Sequence, residues 1–243
     1  MFLPGGKEQI AGEYQPGWML LSYGKKVSVS SSLEGYPAEN IVDEDARTAW
    51  VAQSNRDMEW AQVDLQRLSS IHAIQVNFDE YGANQKGAVS GVYQSYLIYA
   101  SVNGEDWSLV VDYGTKKTDT PHDYIEFEEP FKARYIKLQN KEYMVSENFS
   151  VRDLRIFGKG QGSTPRAVND FTVERDEADP CKARLCWEAV PDAQGYIVRY
   201  GIAGDKLYNN FQVMGENTLE IGSLNKGVAY YFTIDAYNAV SYT

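Results

Sequence analysis

Asn40 to Trp50 reads NIVDEDARTAW, a short polar turn that carries Asp43, Glu44, Asp45 and Thr48 between the apolar pair Ile41-Val42 and Trp50. Carboxylates crowded into one turn repel each other, and a hard cation such as Ca2+ relieves this by accepting carboxylate, hydroxyl and carbonyl oxygens. The stretch departs from an EF-hand, with no DxDxDG start, no glycine at the sixth place and no glutamate at the twelfth. The same residues also read as a solvated Asx-type turn between two strands, because Asp readily accepts hydrogen bonds from nearby backbone. Spacing leaves both readings open.

Outward from this turn, period-two alternation sets in at Val27, with turn residues recurring about every ten positions, the pattern of an all-β sandwich or barrel. Ala61-Val63-Leu65, Ile74-Val76-Phe78, Ile125-Phe127, Ile136-Leu138 and Leu154-Ile156 each alternate with polar neighbours and read as strands with one buried face. Asn103-Gly104 is a hairpin turn after a strand from Tyr96 to Val102, and Trp107 follows as a core or hairpin aromatic. Asp79 to Tyr93 and Glu142 to Phe149 carry no strand pattern and read as loops, the segments where ligand contacts concentrate. No helix of ordinary length is expected.

Gly158 to Pro165, GKGQGSTP, concentrates Gly, Ser and Pro without an apolar anchor and marks a linker. A second small sandwich follows, with strands at Phe171-Val173, Leu185-Trp187-Ala189, Tyr196-Val198-Tyr200, Leu219-Ile221 and Tyr230 to Ala236. The domains expected are an amino-terminal extension over 1–22, a first domain over 23–158, a linker over 159–165 and a second domain over 166–243. GWMLLSY, Gly17 to Tyr23, is an apolar patch too large to leave exposed, and should pack on the following domain or on one further upstream.

The 243 residues carry a formal charge of −11 with no cluster of Lys and Arg, which argues against a nucleic-acid partner. No run approaches the ~18 apolar residues of a membrane helix, and residues 1–22 lack the basic start and apolar core of a secretion signal. Cys181 and Cys186 flank KARL at the start of a strand, too far apart there for a disulfide, and read as free thiols. His72 and His122 stand alone, and there is no GxSxG, HExxH or phosphate loop. The 18 Tyr and 5 Trp suit half-buried sheets and equally the stacking of sugar faces.

VSVSSSLEGYPAENIVDEDARTAW, EWAQVDL, YLIYASVNGEDW, ARYIKL and VRDLRIFG, in this order over Val27 to Gly158, resemble the discoidin fold. This is also called the coagulation factor five/eight type C domain and includes carbohydrate-binding module family 32. PRAVNDFTVERD, LCWEAVPDAQGYIVRYG and Leu224 to Asn238 resemble a fibronectin type III domain, with Trp187 as core tryptophan and Tyr230 as tyrosine-corner residue. The pair, with GWMLLSY and DKLYNNFQV, is similar to the carboxy-terminal region of bacterial family 43 glycoside hydrolases that act on xylan or arabinan side chains.

The resemblance implies an all-β chain, a discoidin-type jelly roll followed by an immunoglobulin-like sandwich. It further implies a non-catalytic accessory region, periplasmic or secreted, that binds plant polysaccharide or oligosaccharide and is partnered by an upstream catalytic domain. The alternative is a purely structural module that stabilises that domain without sugar affinity. Sugar-binding discoidin modules hold a structural calcium, which would fall here on Asp43, the Asp45 carbonyl, Thr48 and Asp153, the last where the family usually has Glu. Galactose-binding members have a His and an Arg where this chain has Val51 and Asp79, so recognition of that kind is not expected. Tyr36, Tyr81 and Phe149 would then supply stacking, with Asn55, Arg56 and Asn84 as hydrogen-bond partners. Surface or packing positions are the other reading of each.

Overall fold

A computed structural model describes residues 18–83 and 91–238, and the chain divides into two compact units at Gln161/Gly162. The described elements are β-strands and the short 3-10 turn Ala38–Val42. Among the described residues no helix is long and apolar enough to cross a membrane.

The first unit contains β1 (Met19–Leu20), β2 (Lys26–Val29), β3 (Trp50–Val51), β4 (Trp60–Phe78), β5 (Gln94–Ser101), β6 (Ser108–Tyr113), β7 (His122–Tyr143) and β8 (Ser150–Gly160). They form one antiparallel network in the order β1-β8-β4-β7-β5-β6, with β2 also on β4 and β3 also on β8. Two long strands serve both layers of a jelly roll. Ala61 to Asp64 of β4 pair with β2, whereas Ser69 to Phe78 pair with β8. The change of layer falls at register shifts after Asp64 and after Ile71, where Gln66 adopts φ +67. Bulges bend a strand while its ladder continues, so the separate strands expected on either side of these points are single bent ones.

Alternation places Ala61, Val63, Ile74, Val76, Ile98, Ile136, Leu138, Leu154 and Ile156 in the core. Its loop end is plugged by rings: Trp50 and Phe149 meet edge to face at 5.8 Å, and Tyr143 and Phe149 at 5.3 Å. The described part of GWMLLSY, from Trp18 on, packs on the domain that follows it, the first of the two expected partners. Met19 and Leu20 pair with Gly158 and Phe157, and Met19 and Leu21 are buried in this sandwich. Gly158 is closely flanked on both sides, for a Cβ there would fall 2.0 Å from the Ser70 carbonyl oxygen of β4 and 3.1 Å from Leu21 Cδ1.

The second unit has β9 (Phe171–Arg175), β10 (Ala183–Trp187), β11 (Gly195–Gly201), β12 (Asn209–Met214), β13 (Thr218–Ile221) and β14 (Tyr231–Tyr237). Two three-stranded sheets, β13-β10-β9 and β12-β11-β14, enclose Leu185, Trp187, Tyr196, Val198 and Ile234. Trp187 meets Tyr196 edge to face at 5.1 Å, and the Tyr230 hydroxyl accepts a hydrogen bond from the Asn225 backbone N–H at 3.1 Å. Strand β12 begins with two asparagines and has little alternation, which hid it in the sequence. Both cysteines are free thiols, Cys181 exposed and Cys186 half-buried.

Candidate functional site

The acidic loop is anchored by Ile41 and Val42, which are buried, and closed by the Asn40 side-chain amide donating to the Ala49 carbonyl at 2.8 Å. Asp43 Oδ1 accepts the Asp45 backbone N–H at 2.9 Å, which is the Asx turn that the sequence allowed. Thr48 then folds its hydroxyl inward, 2.7 Å from Asp43 Oδ2 and 3.0 Å from the Asp45 carbonyl oxygen. Turn and oxygen cluster are therefore the same object. The Asp45 carboxylate points the other way and pairs with Arg47 at 3.1 Å, so only its carbonyl belongs to the cluster. Hydrogen bonds from the Arg47 side chain and backbone hold that carboxyl below its ordinary pKa.

Asp153, on β8, is 3% exposed. Its Oδ2 accepts the Asn77 amide at 2.8 Å, while Oδ1 is buried without a hydrogen-bond partner. Among the described residues no hydrogen bond joins it to Asp43, Asp45 or Thr48. Arg155 links strand to loop instead, with Nε 2.9 Å from Glu44 Oε1 and Nη2 4.0 Å from Asp153 Oδ1. Glu44 reaches this position from the left-handed backbone region, at φ +61. Among the described residues no group of three or more His, Cys, Asp or Glu could hold a metal. An ion here would draw on carbonyl and hydroxyl oxygens as well, and Asp43, the Asp45 carbonyl, Thr48 and the unpartnered Asp153 Oδ1 are the hard donors that suit Ca2+.

The rim beside this corner holds Tyr36 and Tyr81, half-buried, with ring centroids 4.9 Å apart at 70°. They come from the loops after β2 and β4 and form an aromatic corner. Three other expected rim residues do not join them. Phe149 is 0% exposed and plugs the core, so its ring has no free face. The Asn55 amide donates to the carbonyls of Ser146, at 2.8 Å, and Tyr143, at 3.3 Å, which occupies its hydrogens in loop closure. Asn84 lies outside the described residues. Arg56 is exposed and its charge helps hold Glu59 in the ionised form, but no contact sets it against either tyrosine.

Residues 26–153, just over half of the chain, match the family model described as F5/8 type C domain. The chain belongs to that family.

Rat lactadherin (Rattus norvegicus) is 33% identical over 110 residues, 42% of this chain and 25% of that protein. Mouse lactadherin (Mus musculus) is 32% identical over 110 residues, covering 42% and 23%. The chain thus spans about a quarter of the length of these curated relatives. Among solved structures it is similar to chitosan-binding module 1 from a chitosanase/glucanase of Paenibacillus sp. IK-5. That likeness has 20% identity and TM-score 0.49, and covers 58% of this chain and 99% of that one. The family 32 CBM from C. perfringens NanJ in complex with galactose is similar at 19% identity and TM-score 0.46, over 58% and 97%.

One cation of this F5/8 type C domain escaped sequence reasoning. Arg152 on β8 pairs through Nη2 with Asp79, and its Nε is buried without a partner. The Tyr143 and Ser150 hydroxyls both donate to the Asp79 carbonyl, which fixes the backbone two residues before Tyr81. A guanidinium therefore stands at the strand end, supplied by a strand 73 residues away in sequence. Local spacing could not show it.

Proposed function

We propose that this chain is a non-catalytic carbohydrate-binding region. The Tyr36–Tyr81 corner carries this reading: two half-buried rings on separate loops offer the amphipathic surface on which the apolar face of a sugar stacks. Membership in the F5/8 type C family supports it, and the adjacent Arg152–Asp79 pair offers a charged hydrogen-bonding edge.

The finer reading rests on the sequence resemblance. The ligand is a plant polysaccharide of xylan or arabinan type, and the chain serves a family 43 glycoside hydrolase outside the cytoplasm by raising its local concentration on substrate. The second unit is a fibronectin type III spacer, supported by the packing of Trp187 and by the Tyr230 hydroxyl at its corner. Calcium is structural, held by Asp43, the Asp45 carbonyl, Thr48 and Asp153, where it would neutralise crowded carboxylates. The purely structural alternative is the less favoured reading, because Met19 and Leu21 of that stretch pack within the first sandwich.

Affinity electrophoresis of the full chain on xylan, arabinan and galactan tests the reading, with Tyr81→Ala alongside. Retention on at least one polymer, lost in the variant, is the expected result. No retention on any of them would overturn it.

A further inference from the structure

The outward face of the layer containing β2, β4, β7 and β5 has its own chemistry. Alternation turns Ala61, Ile98, Ile136 and Leu138 into the core, so Trp60, Tyr99, Tyr135 and Lys137 face out. The register sets Lys137 opposite Tyr99 on one side and Gln62 on the other, with Tyr135 two residues along β7. Trp107 returns to this face from the β5–β6 hairpin, its ring 6.5 Å from that of Tyr135. The hairpin is stiffened by Asn103, whose side-chain oxygen accepts the backbone N–H groups of Glu105 and Asp106 at 3.0 and 2.9 Å. Four half-buried rings therefore share one face.

Lys137 is the unusual member. Its ammonium lies 3.8 Å from the centre of the Trp107 ring and 5.6 Å from that of Trp60. Among the described residues no carboxylate pairs with it, in a chain of 34 acids. The neighbouring cation is already spent, since Arg134 grips Asp64 with two bonds of 2.8 and 2.9 Å. Burial pushes the Lys137 pKa down, as expected of an ammonium that has given up water for aromatic faces. Such a group gains more from an arriving anion than a solvated lysine does.

We propose that this face is a second binding site, for an acidic saccharide whose ring stacks on the tryptophan and tyrosine rings and whose carboxylate pairs with Lys137. Charge complementarity and the aromatic platform select this occupant. β7 is hydrogen-bonded to β4 and to β5, so its middle offers no open backbone edge for a peptide to join as a strand. The site is distinct from the Tyr36–Tyr81 corner and goes beyond the reading built on it.

Calorimetric titration of the full chain compares an oligogalacturonide with its carboxyl-reduced, neutral counterpart. The acidic ligand should bind about tenfold more tightly, the factor that one charge-assisted hydrogen bond supplies. Lys137→Gln should erase that preference, and Trp107→Ala should weaken both ligands, while Lys132→Gln, which removes an exposed cation elsewhere on β7, leaves the preference in place. Lys137→Gln removes only an outward charge, so it reports even where Trp107→Ala fails to fold. Absence of binding, equal affinity for the two ligands, a preference that survives Lys137→Gln, or a preference lost equally in Lys132→Gln would each overturn the proposal.

Discussion

Arg155 donates its Nε–H to Glu44 Oε1 at 2.9 Å and brings Nη2 to 4.0 Å from Asp153 Oδ1, so one guanidinium stands between two carboxylates. Removing it leaves Asp153 buried without a counter-charge, a change that costs about 3 kcal/mol in comparable pairs. Arg155→Met should lower the denaturant midpoint accordingly, and Asp153→Asn in the same chain should recover part of the loss. An unchanged midpoint would show that the contact contributes little.

Calcium should raise the melting temperature, and a chelator should lower it, if the ion binds only the folded chain. At a free concentration about 100 times its dissociation constant, the gain is about 2.7 kcal/mol. Thr48→Val keeps the volume and removes one hydroxyl oxygen, so it should shrink the calcium-dependent shift. Identical melting curves with and without chelator would exclude the ion.

Phe149→Ala should destabilise the chain by about 3–5 kcal/mol, the cost of emptying a core position packed against Trp50, Phe78 and Tyr143. Tyr81→Ala, at a half-exposed ring, should cost far less stability and act on sugar affinity instead. Chemical denaturation of the two variants side by side separates plug from platform.

Acid should destabilise the first unit through Asp64 and Glu59. Hydrogen bonds from Arg134 hold the Asp64 carboxyl below its ordinary pKa, against an opposing contribution from burial. For Glu59, burial alone would raise the value, but the hydroxyls of Ser30, Ser54 and Ser31 outweigh it and the net shift is downward. A depressed folded pKa contributes stability above the unfolded value, about 4, and loses it as pH falls through the folded value. Melting temperatures should therefore be level above about pH 5 and fall below about pH 4. Glu59→Gln and Asp64→Asn should each flatten that acid limb, and an unaltered limb in both would contradict the assignment.

Strands whose alternation is regular, such as β10 and β11, were legible because one face is buried along the strand. The continuity of β4 and β7 was not, because bulges after Asp64 and Ile71 break the period without breaking the ladder. The cluster of Asp43, Asp45 and Thr48 was legible because it closes within six residues. Arg155 with Glu44 and Arg152 with Asp79 are 111 and 73 residues apart, and only the folded sheet brings them together. Phe149 misled for a different reason: an aromatic in a loop reads as exposed, yet a sandwich needs rings to stopper its open end. Asn55 looked free to bind because its sequence gives no hint of the carbonyls that claim its amide.

Met19 pairs with Gly158 across the β1–β8 seam, so the first and last described strands of the F5/8 type C unit are hydrogen-bonded neighbours, about 5 Å apart. A unit with adjoining ends behaves as a cassette. It can be excised and its flanks rejoined by a short turn, or spliced into a surface loop of an unrelated carrier, without stretching either host. It can also be circularly permuted, with new ends opened at an exposed hairpin tip such as 102–106.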